Sequence, residues 1–164
     1  MNHPALRFFS VLLAALGLAP GAAHLLEMPV KLGYTPERYF AVTSTLYAFF
    51  GSAGALVQIG ALVLAGVLAF ASRRLPAARF TIAGALLLGL SLIAWGALVA
   101  PVNGRWSEAI ESRSQSLPQL YAELRFRWEY GHAAAFALWL AGYCCLLWSV
   151  VRGDARGPAP GGES

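Results

Sequence analysis

The sequence predicts an all-α protein, a bundle of four transmembrane helices, and three observations carry that prediction. Of its 164 residues, 58% belong to the hydrophobic class and only 12% are charged, where an ordinary soluble domain carries about 25% charged residues. The apolar residues gather into four blocks, each long enough to cross a hydrocarbon layer of about 30 Å at about 1.5 Å per helical residue. No alternation of apolar and polar residues runs through the blocks, so their backbone polar groups must be satisfied within helices. One domain is the expectation at this length.

Block one runs roughly from Leu6 to Met28, block two from about Leu46 to Ala71, block three from Pro76 to Ala100 and block four from about Trp128 to Val151. Thr35 followed by Pro36 reads as an N-cap with proline at the first helical position, so helix two is expected to begin before its apolar core and to run through Tyr39, Phe40 and Tyr47. Ser116 with Gln119, and Pro118 between them, reads as a capping box that starts helix four outside the membrane. A short turn with Arg73 and Arg74 joins blocks two and three, and a long connection joins blocks three and four. Residues 1–151 form the membrane domain on this reading, and the Gly/Pro-rich residues 152–164 a disordered cytoplasmic tail.

A competing reading takes Arg7, the run from Phe8 to Ala19, Pro20 and the small residues Gly21, Ala22 and Ala23 as a cleavable signal peptide. It is set aside because the apolar stretch continues through Leu25, Leu26 and Met28 and is long enough to span.

The net charge of +4 does not indicate nucleic acid, since the basic residues are spread between apolar blocks and build no stripe. Four crossings put Arg7, Arg73, Arg74, Arg79, Arg152 and Arg156 on one side, and Lys31, Arg38, Arg105, Arg113, Arg125 and Arg127 on the other. The numbers tie, and the acid-free turn at Arg73 places both termini in the cytoplasm of a multi-pass cell-membrane protein. Gly51, Gly54, Gly60 and Gly66 in block two, Gly84 and Gly89 in block three, and Gly131, Ala135 and Gly142 in block four read as packing positions, where lipid supplies no drive for helices to associate. Cys144 and Cys145 read as two small buried hydrophobes, because consecutive helical positions diverge by about 100° and close no ordinary bridge.

Polar groups near hydrocarbon are costly, so those present are paired or functional. Here they gather at one end of the predicted bundle, the outer one. His24 and Glu27 close helix one, Asn103, Arg105 and Trp106 follow helix three, and Arg127, Glu129 and His132 open helix four. His24 and Glu27 are three apart, as are Glu129 and His132, so each pair shares a helix face. The favoured reading is structural, with Arg127 or Arg105 paired to Glu27 or Glu129; next comes a metal-free pocket, and last a carboxylate and histidine metal or haem site. Cofactor, metal and oligomeric state stay open. Gln58 reads as an interhelical hydrogen bond. Tyr34, Tyr39, Trp95, Trp106 and Trp128 fit an interfacial aromatic belt, with Trp148 at the opposite interface; Trp106 and Trp128 also suit an aromatic-binding pocket, the less favoured of their two readings.

At these same positions the chain resembles a known family. The run Gly21-Ala22-Ala23-His24-Leu25-Leu26-Glu27-Met28-Pro29-Val30-Lys31-Leu32, then Tyr39 and Val42, then Pro101-Val102-Asn103 and Trp106, and finally Leu124-Arg125-Phe126-Arg127-Trp128-Glu129 with His132, is similar to the anthrone oxygenase-like family of small four-helix membrane proteins. The resemblance implies the fold and, from the minority of members with an activity, oxidation of an anthrone to an anthraquinone by O₂ with no obvious organic cofactor. On that reading His132 or His24 is the base, oriented by Glu129 or Glu27, while Asn103 and Arg127 stabilise the developing oxyanion. The partners would be membrane lipid and a lipophilic aromatic small molecule bound near Trp106 and Trp128. The other reading is a non-catalytic partner subunit or lipid binder whose polar cluster locks the helices together. A transporter is the weakest of the three, because the sequence has no internal repeat and no Pro-broken helix at mid-membrane.

Overall fold

A computed structural model describes residues 3–112 and 117–154, and every regular element among them is an α-helix. The order is α1 (Pro4–Leu16), α2 (Leu18–Lys31), α3 (Pro36–Ser72), α4 (Ala78–Leu98), α5 (Ala100–Glu111) and α6 (Leu117–Asp154). Four stretches are long and apolar enough to cross a membrane: Pro4–Lys31, Phe49–Ser72, Ala78–Glu111 and Leu117–Arg152. Their outward surface is strongly apolar, with Leu26 80%, Leu56 76% and Phe49 74% exposed. Contiguous apolar surface of that kind is a liability in water and the ordinary solvated face in lipid.

The long helices start where the chain provides a cap. Thr35 Oγ1 accepts a hydrogen bond from the Arg38 amide at 3.4 Å, Pro36 sits in the first turn and Glu37 places a negative charge at the dipole's positive end. The short connection before this cap is tied to α6, since Arg125 Nη1 donates to the Leu32 carbonyl at 3.0 Å and the Tyr121 hydroxyl donates to that of Tyr34 at 2.6 Å. Helix α6 likewise begins well before its apolar block, at Leu117; the Ser116 cap lies outside the described residues. Its far end reaches Asp154, so residues 152–154, assigned to the tail from sequence, are helical, and 155–164 lie outside the described residues.

Two spans are broken, and both breaks correct the sequence reading. Span one is interrupted at Gly17, close to its middle, with Pro20 in the next turn. Carbonyls at the break are taken by side chains: Trp139 Nε1 donates to Ala14 at 2.8 Å and Gln58 Nε2 to Gly17 at 3.0 Å. Gln58 is thus the interhelical bond expected of it. Gly17 has no room for a side chain, because a Cβ there would lie 2.5 Å from the Trp139 ring. Span three breaks between α4 and α5 at Val99, and most of the expected third connection is α5 itself. Pro101 in the first turn of α5 has no N–H for the carbonyl four residues back, Ala97, and Arg127 Nη2 takes up that carbonyl at 3.0 Å.

Helices α4 and α6 pack closely because small residues face each other. A Cβ on Gly84 would meet the Gly142 carbonyl at 3.0 Å and Leu146 at 2.7 Å, and one on Gly142 would meet the Gly84 carbonyl at 3.0 Å. Further along, Ser91 Oγ donates to the Ala135 carbonyl at 2.7 Å and Gly131 lies against Val99. Gly51 and Gly66 differ from the packing role expected of them, since an added Cβ at either would meet nothing within 4 Å. Cys144 is exposed and Cys145 half-buried, both as free thiols, so the expectation that both are buried fails.

Candidate functional site

At the end of the bundle where α2 finishes and α3 and α6 start, two imidazoles face each other. His24 on α2 and His132 on α6 have ring centroids 4.1 Å apart at an interplanar angle of 36°. Their partners assign opposite tautomers. His132 Nδ1 lies 2.9 Å from the Trp128 carbonyl one turn back, which can only accept, so Nδ1 carries the proton and Nε2 keeps its lone pair. His24 Nδ1 lies 3.5 Å from Lys31 Nζ, which can only donate as an ammonium, so its proton is on Nε2. The pair offers one acceptor and one donor side by side.

Lys31 reaches this position because it lies seven residues, two helical turns, beyond His24 and so on the same face of α2. It is 2% exposed and pairs at 3.1 Å with Glu129 Oε2, itself 1% exposed, while the Tyr39 hydroxyl donates to Glu129 Oε1 at 2.9 Å. The ammonium also lies 4.9 Å from the ring centroids of both Tyr47 and Trp128. A buried charge costs several kcal/mol unless it is paired and solvated by fixed groups; here one carboxylate, two aromatic faces and an imidazole supply that environment.

Below and beside these groups lies a cavity of about 660 Å³. His24, His132, Asn103, Trp106, Trp128 and Tyr47 line one end of it, and Gly17, Gln58, Ser91 and Trp139 the other. Trp128 Nε1 donates to Asn103 Oδ1 at 2.7 Å, which leaves the Asn103 amide hydrogens for a further acceptor. Two lining groups that are buried, the Tyr47 hydroxyl and Trp106 Nε1, have no hydrogen-bond partner. Buried donors of this kind normally find one.

Several expected positions are corrected. Trp106, Trp128 and Tyr39 are 5%, 3% and 0% exposed, so they form the interior of the bundle and not a lipid-facing belt. Trp148, by contrast, is 46% exposed. Arg127 is exposed, does not line the cavity and is spent on the Ala97 carbonyl freed by Pro101, which removes it from oxyanion binding. Arg105 pairs with Glu123 at 2.7 Å on the surface and not with Glu27 or Glu129. Neither carboxylate orients an imidazole: a backbone carbonyl and Lys31 do that, Glu129 holds Lys31, and Glu27 is half-buried outside the cavity lining. Among the described residues no three His, Cys, Asp or Glu side chains converge as a metal set. Glu129 Oε1 accepts from Tyr39, while Oε2 lies 3.1 Å from Lys31 Nζ as an ion pair without hydrogen-bond geometry.

Lys31, Tyr39 and Tyr47 are the site residues that sequence reasoning missed as such. The spacing of Lys31 from His24 held the signal, since a lysine on the face that carries a membrane-buried histidine needs an acid opposite it. Compared with protein-family models, curated proteins and solved structures, the chain has no significant match.

Proposed function

We propose that this membrane protein is an enzyme that takes a proton from a lipophilic aromatic molecule held in the cavity and lets the resulting anion react with O₂, the chemistry implied by the anthrone oxygenase resemblance. The observation that carries the reading is the facing pair of imidazoles, whose Nδ1 partners, the Trp128 carbonyl and Lys31, assign a basic Nε2 to His132 and an Nε2–H to His24. A ring CH₂ conjugated to a carbonyl loses its proton to His132, and the charge moves to the carbonyl oxygen. There the His24 Nε2–H and the Asn103 amide donate to it. The anion passes an electron to O₂, the two radicals combine at carbon as a peroxide, and loss of water leaves a second carbonyl. One substrate and one O₂ give one quinone and one water, with no external reductant. Glu129 acts through Lys31, and Lys31 positions His24.

The test is turnover of anthrone by the chain in nanodiscs, read as quinone formed and O₂ consumed. Replacing His132 by Ala should lower it about 100-fold or more, the usual share of a general base, while the variant still purifies as a folded bundle. Full turnover in that variant would refute the assignment. A second reading, a non-catalytic binder, draws on the Lys31, Glu129 and Tyr39 lock, which joins α2, α3 and α6 whether or not chemistry occurs. Ligand binding without quinone formation would select it.

The site end is assigned to the outer face of the cell membrane and both termini to the cytoplasm, on the acid-free turn at Arg73 and Arg74. A periplasmically active reporter fused at Ser164, or an inactive one at Ser112, would reverse this.

A further inference from the structure

Helices α3 and α4 are packed in one half of the bundle and separate in the other. Leu62 on α3 fills the space over Gly89 on α4, and Ala61, Ala65 and Leu88 belong to one buried cluster. Toward the site end the helices part: Gly51 on α3 and Gly96 on α4 are exposed, both line the cavity, and a Cβ at either would meet nothing within 4 Å. Ala55 and Ile59, also exposed, continue the same edge. All four lie within membrane-spanning segments, so the opening faces lipid. Beyond it Phe40 on α3 meets Trp106 on α5, with ring centroids 5.5 Å apart, and the exposed Ser44, Ser107, Ile110 and Glu111 continue the lining toward the end of the bundle.

The cavity behind this opening is elongated. Its lining on α3 extends from Phe40 to Ile59, about 28 Å at the helical rise. The unpartnered Tyr47 hydroxyl and Trp106 Nε1–H lie in the polar end, on side chains 6% and 5% exposed. Two buried donors without acceptors, inside an apolar cavity open to the bilayer, define what is missing: an acceptor oxygen on a molecule apolar enough to arrive dissolved in lipid.

We propose that the cavity is loaded sideways from the bilayer, through the cleft between Gly51 and Gly96, by an aromatic ketone or quinone that offers Trp106 and Tyr47 an acceptor oxygen other than the one His24 and Asn103 address. The proposal rests on the reading of this cavity as the substrate site and adds the route and the groups that select the ligand. It does not depend on oxidation taking place. The missing side chains at Gly51 and Gly96 leave the cleft open, and a Cβ added at either position meets no neighbour.

Benzophenone serves as the probe, because it dissolves in lipid, carries one acceptor oxygen and cross-links on irradiation. It is added to the chain in nanodiscs, and adducts are mapped by peptide mass spectrometry. The wild type should be labelled on cavity residues such as Phe136 and Leu92. Gly51→Trp and Gly96→Trp should each reduce that labelling about tenfold, and Trp106→Phe about fivefold, the loss of one hydrogen bond. Gly66→Trp, on the lipid face away from the cavity and equally free of neighbours, should change nothing. Ala55→Trp stands in for either plug that fails to insert. Cavity labelling that is absent in the wild type, or undiminished in the plugged variants, overturns the proposal. The two readings separate cleanly: plug-sensitive labelling without anthrone turnover sinks the oxidation and leaves the route, and turnover that persists in the Gly51→Trp, Gly96→Trp double variant sinks the route and leaves the oxidation.

Discussion

The two buried clusters of this bundle are built on opposite principles. One, around Ala14, Ala61, Ala65, Leu88, Trp139 and Leu146, sets small and aliphatic residues around a single indole, and its helices approach until backbone touches side chain at Gly17, Gly84 and Gly142. The other, in which Tyr39, Phe40, Tyr47, Trp106, Tyr121 and Trp128 join Val99, Val102 and Leu124, is mostly aromatic, encloses a buried ion pair and leaves polar atoms without partners. Without a hydrophobic drive between helices in lipid, close packing of small residues is what holds such a bundle together. The first cluster therefore carries the association of the helices. That frees the second to hold a cavity and groups that would be a liability in a core whose only task was stability.

The comparison is open to direct attack, and the largest effect is expected at the ion pair. Lys31→Met or Glu129→Gln alone leaves one buried charge uncompensated and should destabilise by about 3–5 kcal/mol, while the double variant should recover most of that loss. Thermal melts of the three proteins decide it; a double variant as unstable as the singles would mean the pair is not acting as one unit. In the tightly packed half, Gly84→Leu has no space to occupy and should cost about 1–3 kcal/mol, whereas Gly51→Leu should fall within about 0.5 kcal/mol of the wild type. Equal losses at both would erase the distinction between the two halves.

Arg127→Ala exposes the carbonyl that Pro101 freed and should cost about 1 kcal/mol with anthrone turnover retained. A variant that folds as well as wild type but no longer turns over would return Arg127 to the substrate. Among the variants expected to destabilise, the smallest effect is at Gln58→Leu, about 0.6 kcal/mol, the usual worth of an interhelical hydrogen bond in lipid. A melt unchanged beyond measurement error would show that the carbonyl of Gly17 finds another donor.

What the sequence by itself determined is the solvent and the architecture. Apolar blocks of spanning length admit few alternatives when the backbone must satisfy itself, and Thr35 with Pro36 announced the start of α3 in local chemistry alone. It also placed His24 and His132 at one depth, because an up-and-down bundle fixes which helix ends meet. The break at Gly17 was not legible, since it depends on Trp139 and Gln58 arriving from other helices to take the carbonyls it releases. Nor was the role of Arg127, which is decided by a carbonyl on α4. Above all, the sequence could not say which polar side chains would share a face across helices. Periodicity gives each helix its own stripe, but the rotation of one helix against another is set by packing, here by Gly84 against Gly142 between α4 and α6 and by Gly21 against Phe136 between α2 and α6. That rotation turns Lys31 toward Glu129 and Trp106 and Trp128 inward, so the cavity is a property of the assembled bundle and of no single segment.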